Sequence, residues 1–274
     1  MKNYPVLSVQ DISCIGQCSL TVALPMLSAM GHECAILPTS LLSSHTAFTH
    51  TSICQLEHEI PHIFAAWEKE GLRFGGIYTG YIGSVASVHA VKTIFSRFLI
   101  ADAPIIVDPV FGDHGRLYRN FDEAYVESVR TLIESADVIL PNVTEACFLT
   151  DTPYTESPDH ETVRMLHEKM RVLGAKSSVI TGIHRTDGRI AVSIDDGLCE
   201  QVTPVLHETQ HINRPSHGAG DVFASIVAGR IFSGCPLVCA AREAADFVCR
   251  ALKETPDEHW YGLSFEKLLS ELIK

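Results

Sequence analysis

The chain has 274 residues, 46% of them hydrophobic, with a mean hydropathy of +0.14 and a formal net charge of −12. Such a composition fills one sizeable core, and a single domain over residues 1–274 is expected, since no Gly/Ser-rich or Pro-rich linker and no repeat of about 20–50 residues divides the chain. The acidic balance excludes nucleic acid or an anionic membrane as main partner, and any anionic substrate must be held by local amides, cations or a metal.

In chain order, Pro5–Val9 reads as a first strand, followed by a glycine-containing turn and a helix over Ser19–Met30 that Gly31 closes. Glu33–Leu37 is a second strand. A helix at Pro61–Glu70, with Ile63, Ala66 and Trp67 at helical spacing, stops at Gly71. Gly76–Thr79 is a third strand and Val85–Leu99 a long helix. The short runs Ile105–Val107, Val138–Leu140 and Ser178–Ile180 are suited to parallel strands covered on both faces. The polar interval Thr150–Glu161, with two prolines, is a surface loop. Arg189–Ile194 and Leu198–Val205, split by Asp195-Asp196-Gly197, are expected to pair as an antiparallel hairpin. Helices over Asp221–Ser233, Pro236–Leu252 and Phe265–Ile273 complete the pattern, which is that of an α/β layered fold with a mainly parallel sheet. Ligands gather at the carboxyl ends of such strands, where Tyr81, Asp108, Asn142 and Thr181 stand.

Nine cysteines without a CxxC are expected to be reduced, and fourteen histidines lack a metal-binding frame. Asn142-Val143-Thr144 fits a glycosylation sequon, but no secretory signal or membrane-length apolar run accompanies it, so a cytoplasmic location is expected. There is no GxxxxGK[ST] and no strand-linked GxGxxG near the N-terminus. What remains is Gly218-Ala219-Gly220-Asp221 at the head of an apolar helix. Glycines let the backbone approach a ligand, and the helix N-terminus favours an anion there. A carboxylate beside that seat suits phosphoryl transfer to a hydroxyl, with amides holding the transferring group and the acid accepting the proton. A plain turn with an N-terminal helix charge is the alternative for these four residues. Asp108, Asp113 and Glu145, directly or through water, are candidates to hold Mg²⁺, while Asn142 and Glu145 also fit a helix-capping box. The loop Asp113–Tyr118, with glycines at 112 and 115, is a candidate flap over a nucleotide, with Arg116 as its cation, or an ordinary surface loop.

Gln10-Asp11-Ile12-Ser13, Ser44-His45-Thr46, Thr79–Ser84, Val107–Asp113, Leu140–Glu145 and the Gly218–Asp221 turn occur in this order over Val6 to Gly229. Together they resemble a vitamin B6 (pyridoxal/pyridoxamine) kinase of the ribokinase-like superfamily. The resemblance implies a three-layer ribokinase-like fold, with a central mostly parallel sheet flanked by helices. It further implies Mg²⁺- and ATP-dependent transfer of the γ-phosphoryl group to the 5′-hydroxymethyl of a B6 vitamer. Asp221 matches the family's catalytic base, and the amides of Gly218, Ala219 and Gly220 its anion hole. Asp113, Tyr118, Asn142, Glu145 and Thr181 match positions around ATP and its cations. Asp11, Thr46 and Tyr81 fall where the family grips the pyridine. Asp11 stands where the family commonly has serine, and a carboxylate there favours a protonated ring nitrogen or an amine-bearing ring. Homodimerisation is a family expectation, and a requirement for a monovalent cation is left open. A hydroxymethylpyrimidine kinase, which shares fold, metal and turn, is the alternative; a sugar kinase and a non-catalytic sensor fit less well. Adenine contacts are expected from His207–His217 and the Cys235–Cys249 helix.

Overall fold

The computed structural model describes residues 4–215 and 217–273, so Ser216, inside the stretch expected to touch adenine, lies outside the described residues. The first half runs β1 (Val6–Ser13), α1 (Leu20–Ala29), β2 (Cys34–Leu42), β3 (Ile53–Gln55), α2 (Ile60–Lys69), β4 (Ile77–Thr79), α3 (Val85–Arg97) and β5 (Ile105–Val107). A small hairpin of β6 (Gly112–Asp113) and β7 (Arg116–Leu117) leads to α4 (Glu123–Ile133), β8 (Val138–Ile139), α5 (Val143–Leu149) and α6 (His160–Val172). The chain then forms β9 (Ser177–His184), β10 (Arg189–Asp195), β11 (Val205–Gln210), α7 (Ala219–Phe232), α8 (Leu237–Glu254) and a 3-10 helix, Glu266–Leu272.

Nine strands make one sheet in the order β11-β10-β9-β8-β5-β4-β1-β2-β3. The pairs from β2 through β1, β4, β5 and β8 to β9 are parallel, and the outer pairs β2–β3, β9–β10 and β10–β11 are antiparallel. Successive strand residues serve opposite faces, as the two-residue period demands. Leu7, Ile77, Val107, Ile139 and Ile180 enter a core with α2 to α6. Their neighbours Val6, Tyr78, Ile106, Val138 and Val179 enter a second core with α1, α7 and α8. This is the expected three-layer arrangement. Helix α7 is buried from Val222 to Arg230, hence its all-round apolar sequence. Arg230 within it pairs with Glu243 of α8 at 2.6 Å.

The expected hairpin is displaced. After Asp195 the chain leaves the sheet, and the second arm is Val205–Gln210, not Leu198–Val205. Gly197 turns at φ 71° against the Lys176 carbonyl, Leu198 is exposed, and Pro204 has no amide to lend a ladder. Pairing resumes only after that proline. Helices α4 and α6 are two covering elements beyond those expected from the sequence. No helix among the described residues is long and apolar enough to cross a membrane.

His167 on α6 is fully buried, with its ring nitrogens 2.6 Å from Ser178 Oγ and 2.9 Å from Ser193 Oγ. Burial pushes its pKa down to about 4. A folded-state value below the unfolded one means that stability is full above the unfolded pKa and is lost as pH falls toward 4, by on the order of 3 kcal/mol. Urea unfolding at pH 7, 6 and 5 checks this. The stability difference between wild type and His167→Gln should shrink steadily as the pH falls, and a constant difference would contradict the assignment.

Candidate active site

The parallel strands end in step because backbone bonds continue past them. Gly80 N–H donates to Val9 O (3.1 Å), Asp108 N–H to Thr79 O (2.9 Å), Leu140 N–H to Val107 O (2.9 Å) and Thr181 N–H to Pro141 O (2.9 Å). Asp11, Tyr81, Asp108, Asn142 and Thr181 therefore share one rim. Asp11 sits where the β1–β2 register slips between Gln10 and Ile12, a bulge that re-aims its side chain.

Helix α7 begins at the same rim. Gly218 is its N-cap in the left-handed region at φ 79°, and a Cβ there would lie 1.9 Å from Gln17 O. Only glycine fits. At Gly220 a Cβ would meet nothing within 4 Å, so open space faces the first turn, whose amides have no intrahelical acceptor. Asp221 follows in that turn.

Asp11, Asp108 and Glu145 are buried and Asp221 half-buried, and no basic side chain among the described residues offsets any of the four. Burial pushes Asp221 up to about 7, with the charge of Asp11 adding to the effect and the Ser19 N–H opposing it. Asp108 is driven well above the usual carboxylate range by burial, then by Glu145 and Asp221. Glu145 rises to about 7 through burial, against three backbone N–H donors. The Tyr118 phenol, raised by burial, also feels Glu145, Asp113, Asp108 and Asp221, although the residue is exposed. The rim acids and the α7 carboxylate thus share one electrostatic environment.

The expected Mg²⁺ ligands are only partly assembled. Among the described residues no group of three or more His, Cys, Asp or Glu side chains is placed to hold a metal. Glu145 Oε2 accepts from Asn142 N–H (3.0 Å) and Oε1 from Phe111 N–H (2.9 Å), while Asn142 Oδ1 caps Glu145 N–H (2.9 Å). The capping box is real, and Glu145 also ties α5 to the loop after β5, where Val110 is held at φ 43°. Asp113 is exposed and accepts from His114 N–H. The uncompensated charge of Asp108 and Glu145 fits a divalent cation, but one held largely through water and phosphate oxygens.

The candidate flap is the β6–β7 hairpin, and it is pinned. Gly115 N–H donates to Thr144 Oγ1 (2.9 Å), Asn142 Nδ2 to Gly112 O (2.8 Å), and Tyr154 crowds Gly115. Arg116 is exposed at its edge.

On the acceptor side Ser13 Oγ donates to Asp11 (3.0 Å). Tyr81 lies within the field of Asp11 and packs on Phe121 with centroids 5.4 Å apart, and Phe121 stacks on Tyr125 at 3.9 Å. Thr46 is exposed on its loop, whereas the adjacent His45 is buried, donates its Nε2–H to Tyr261 O (2.9 Å) and packs 5.2 Å from His217. The sequence shows Ser19 as a helix start and Cys18 as one of the small scattered cysteines, but not that both adjoin Asp11 and Asp221. Serine before an apolar run is a legible helix start, but nothing in the sequence tells that Ser19 faces two acids.

Fold and site together define a small-molecule kinase of the ribokinase-like superfamily. The phosphomethylpyrimidine kinase family model matches residues 27–262. The chain belongs to that family. Among solved structures it resembles a Bacteroides thetaiotaomicron protein, described as a candidate phosphomethylpyrimidine kinase and crystallised with pyridoxal, at 34% identity and TM-score 0.93, over 99% of this chain and 96% of the other. Pyridoxal kinase from Lactobacillus plantarum is similar at 34% identity and TM-score 0.89, over 99% and 97%. The pyridoxine/pyridoxal/pyridoxamine kinase of Bordetella bronchiseptica is 26% identical over 91% of this chain and 89% of its own. Other relatives are named hydroxymethylpyrimidine/phosphomethylpyrimidine kinases. The B6 expectation therefore holds as to class of substrate, a small B6- or pyrimidine-type ring, and the comparisons support the pyrimidine alternative better than the B6 reading.

The two glycines of the turn should respond differently. Gly218→Ala, strained by positive φ and by the Gln17 carbonyl, should lower stability by about 1–3 kcal/mol. Gly220→Ala should leave the melting temperature near wild type yet lower turnover, because its methyl enters the space before the helix. Calorimetry and steady-state rates on both variants check this, and a stable Gly218→Ala with full turnover would contradict it.

Proposed function

We propose that the chain transfers the γ-phosphoryl group of ATP to the hydroxymethyl arm of a small nitrogen heteroaromatic ring. The observation that carries this reading is Asp221, held half-buried at the N-terminus of α7 with its pKa pushed up to about 7. The amides of Gly218, Ala219 and Gly220 hold the transferring phosphoryl group, where they and the helix dipole act on the charge of the transition state. Asp221 orients the hydroxymethyl group and accepts its proton as the oxygen bonds to phosphorus and ADP departs. Asp108 and Glu145, with Asp113 beyond them, are the residues that would hold Mg²⁺ at the nucleotide. When bound, that ion neutralises phosphate charge against an otherwise acidic rim. Asn142, Tyr118 and Thr181 border the nucleotide, and Asp11, Tyr81 and Thr46 the ring.

A hydroxymethyl aminopyrimidine is the first reading of the acceptor, supported by the family match over residues 27–262. Asp11 is buried with its pKa raised by burial, and such a carboxyl group pairs well with the adjacent ring nitrogen and amine of an aminopyrimidine. A B6 vitamer is the second reading, favoured by the two structural relatives at 34% identity that contain pyridoxal or carry the pyridoxal kinase name. Pyridoxamine, with its amine, suits Asp11 better than pyridoxal does.

A coupled ADP-release assay across hydroxymethylpyrimidine, pyridoxal, pyridoxine and pyridoxamine separates the two. The aminopyrimidine should turn over fastest, and Asp11→Ser should narrow its lead. Asp221→Ala should lower kcat by about a thousandfold or more with little change in ATP affinity. For wild type, kcat/KM should rise with pH through about 7 and level off above, as the base ionises. ADP release with none of the four, or full turnover in Asp221→Ala, would remove the assignment.

A further inference from the structure

Ser19 adopts φ 53° and ψ −127°. That conformation belongs to glycine, because an L side chain crowds its own backbone there. The residue is nevertheless serine, buried, and locked on both sides. It forms a bridge with Ile12, the neighbour of Asp11, and its carbonyl accepts from Val22 and Ala23 N–H at 3.0 and 2.9 Å. Strained positions persist when the surroundings over-determine them, and they concentrate at functional sites.

What the hydroxyl does is equally telling. Ser19 is the N-cap of α1, where a serine ordinarily bonds an amide of the first turn, yet its side chain makes no such bond. Its hydroxyl adjoins the Asp11 carboxyl group instead and opposes the rise of its pKa, and its own N–H does the same at Asp221. Through its bridge to Ile12 this one residue is held beside the acid on the acceptor side, and it also acts on the acid on the transfer side. A helix start needs neither contact, and glycine would supply the turn without strain.

We propose that Ser19 is a positioning residue that fixes Asp11 and Asp221 relative to each other, aligning the acceptor ring with the base. Ser19 has this role only where Asp221 is the base of the phosphoryl transfer proposed above. Its hydroxyl orients Asp11 toward the ring, and its N–H limits the rotation of the Asp221 carboxylate. The backbone strain is retained together with the hydroxyl, which a glycine at this position would lack.

Ser19→Gly and Ser19→Ala separate strain from hydroxyl. Ser19→Gly relieves the strain and deletes the hydroxyl; its melting temperature should rise by about 2–4 °C while kcat/KM for the acceptor falls about tenfold or more. Ser19→Ala keeps the strain and deletes only the hydroxyl; its kcat/KM should fall similarly with no gain in melting temperature. KM for ATP should stay within about twofold of wild type in both. A merely structural serine would not move stability and acceptor kinetics in opposite directions. With an active wild type, retention of full acceptor kcat/KM by both variants, or a lowered melting temperature in Ser19→Gly, overturns the assignment of Ser19 alone. An inactive wild type on all four ring alcohols removes the functional reading and Ser19's role with it.

Discussion

The site is organised by an electrostatic imbalance: four carboxylates, Asp11, Asp108, Glu145 and Asp221, gathered at one end of a sheet without a cation among the described residues. Removing carboxylates from water is costly unless they are paired or protonated, and the raised pKa values of these groups express that cost. The protein therefore binds protons where a paired site would not, and a divalent cation or a ligand with proton-donating groups relieves the repulsion. An acidic pocket also repels a bare triphosphate. Under the proposed function, amides and helix dipole on one side and a metal ion on the other would make it a seat for nucleotide.

The rest of the fold is what holds that imbalance in place. Parallel strands ending in register bring Tyr81, Asp108, Asn142 and Thr181 to one rim, and the bulge at Asp11 turns its carboxyl group inward. Glu145 is retained as a buried acid because three backbone amides bind it, and through them it fixes the loop that carries Asp108. Val110 and Ser19, two of the non-glycine residues with positive φ, lie in the same place. Away from the rim the backbone follows ordinary two-core packing, and the buried charge of Arg230 is paired with Glu243.

Much of this was legible in the sequence because it rests on short-range patterns. The apolar runs gave the central strands, Gly31 and Gly71 gave helix ends with positive φ, and Asn142 with Glu145 gave a capping box. The Gly218–Asp221 turn was legible as the glycine-led start of a helix. What remained hidden depends on contacts between distant segments. The displaced hairpin arm followed from Pro204 and the Gly197 turn, which outweighed apolar residues at Leu198 and Val202. Asp113 matched a metal position by spacing, yet the β6–β7 hairpin leaves it in solvent. Ser19 read only as a helix start, since neither its φ nor its two acidic neighbours can be deduced from residue order.

The central claim is that nucleotide and metal bind this acidic rim only together, because among the described residues no side-chain cage is placed to hold the ion and no basic side chain offsets the four carboxylates. Isothermal titration calorimetry of the whole chain with ATP, in EDTA and then in excess Mg²⁺, is the direct test. The account predicts no measurable binding of Mg²⁺ alone, weak binding of ATP in EDTA, and affinity at least tenfold higher for ATP with Mg²⁺. Equal ATP affinity with and without the metal would contradict it.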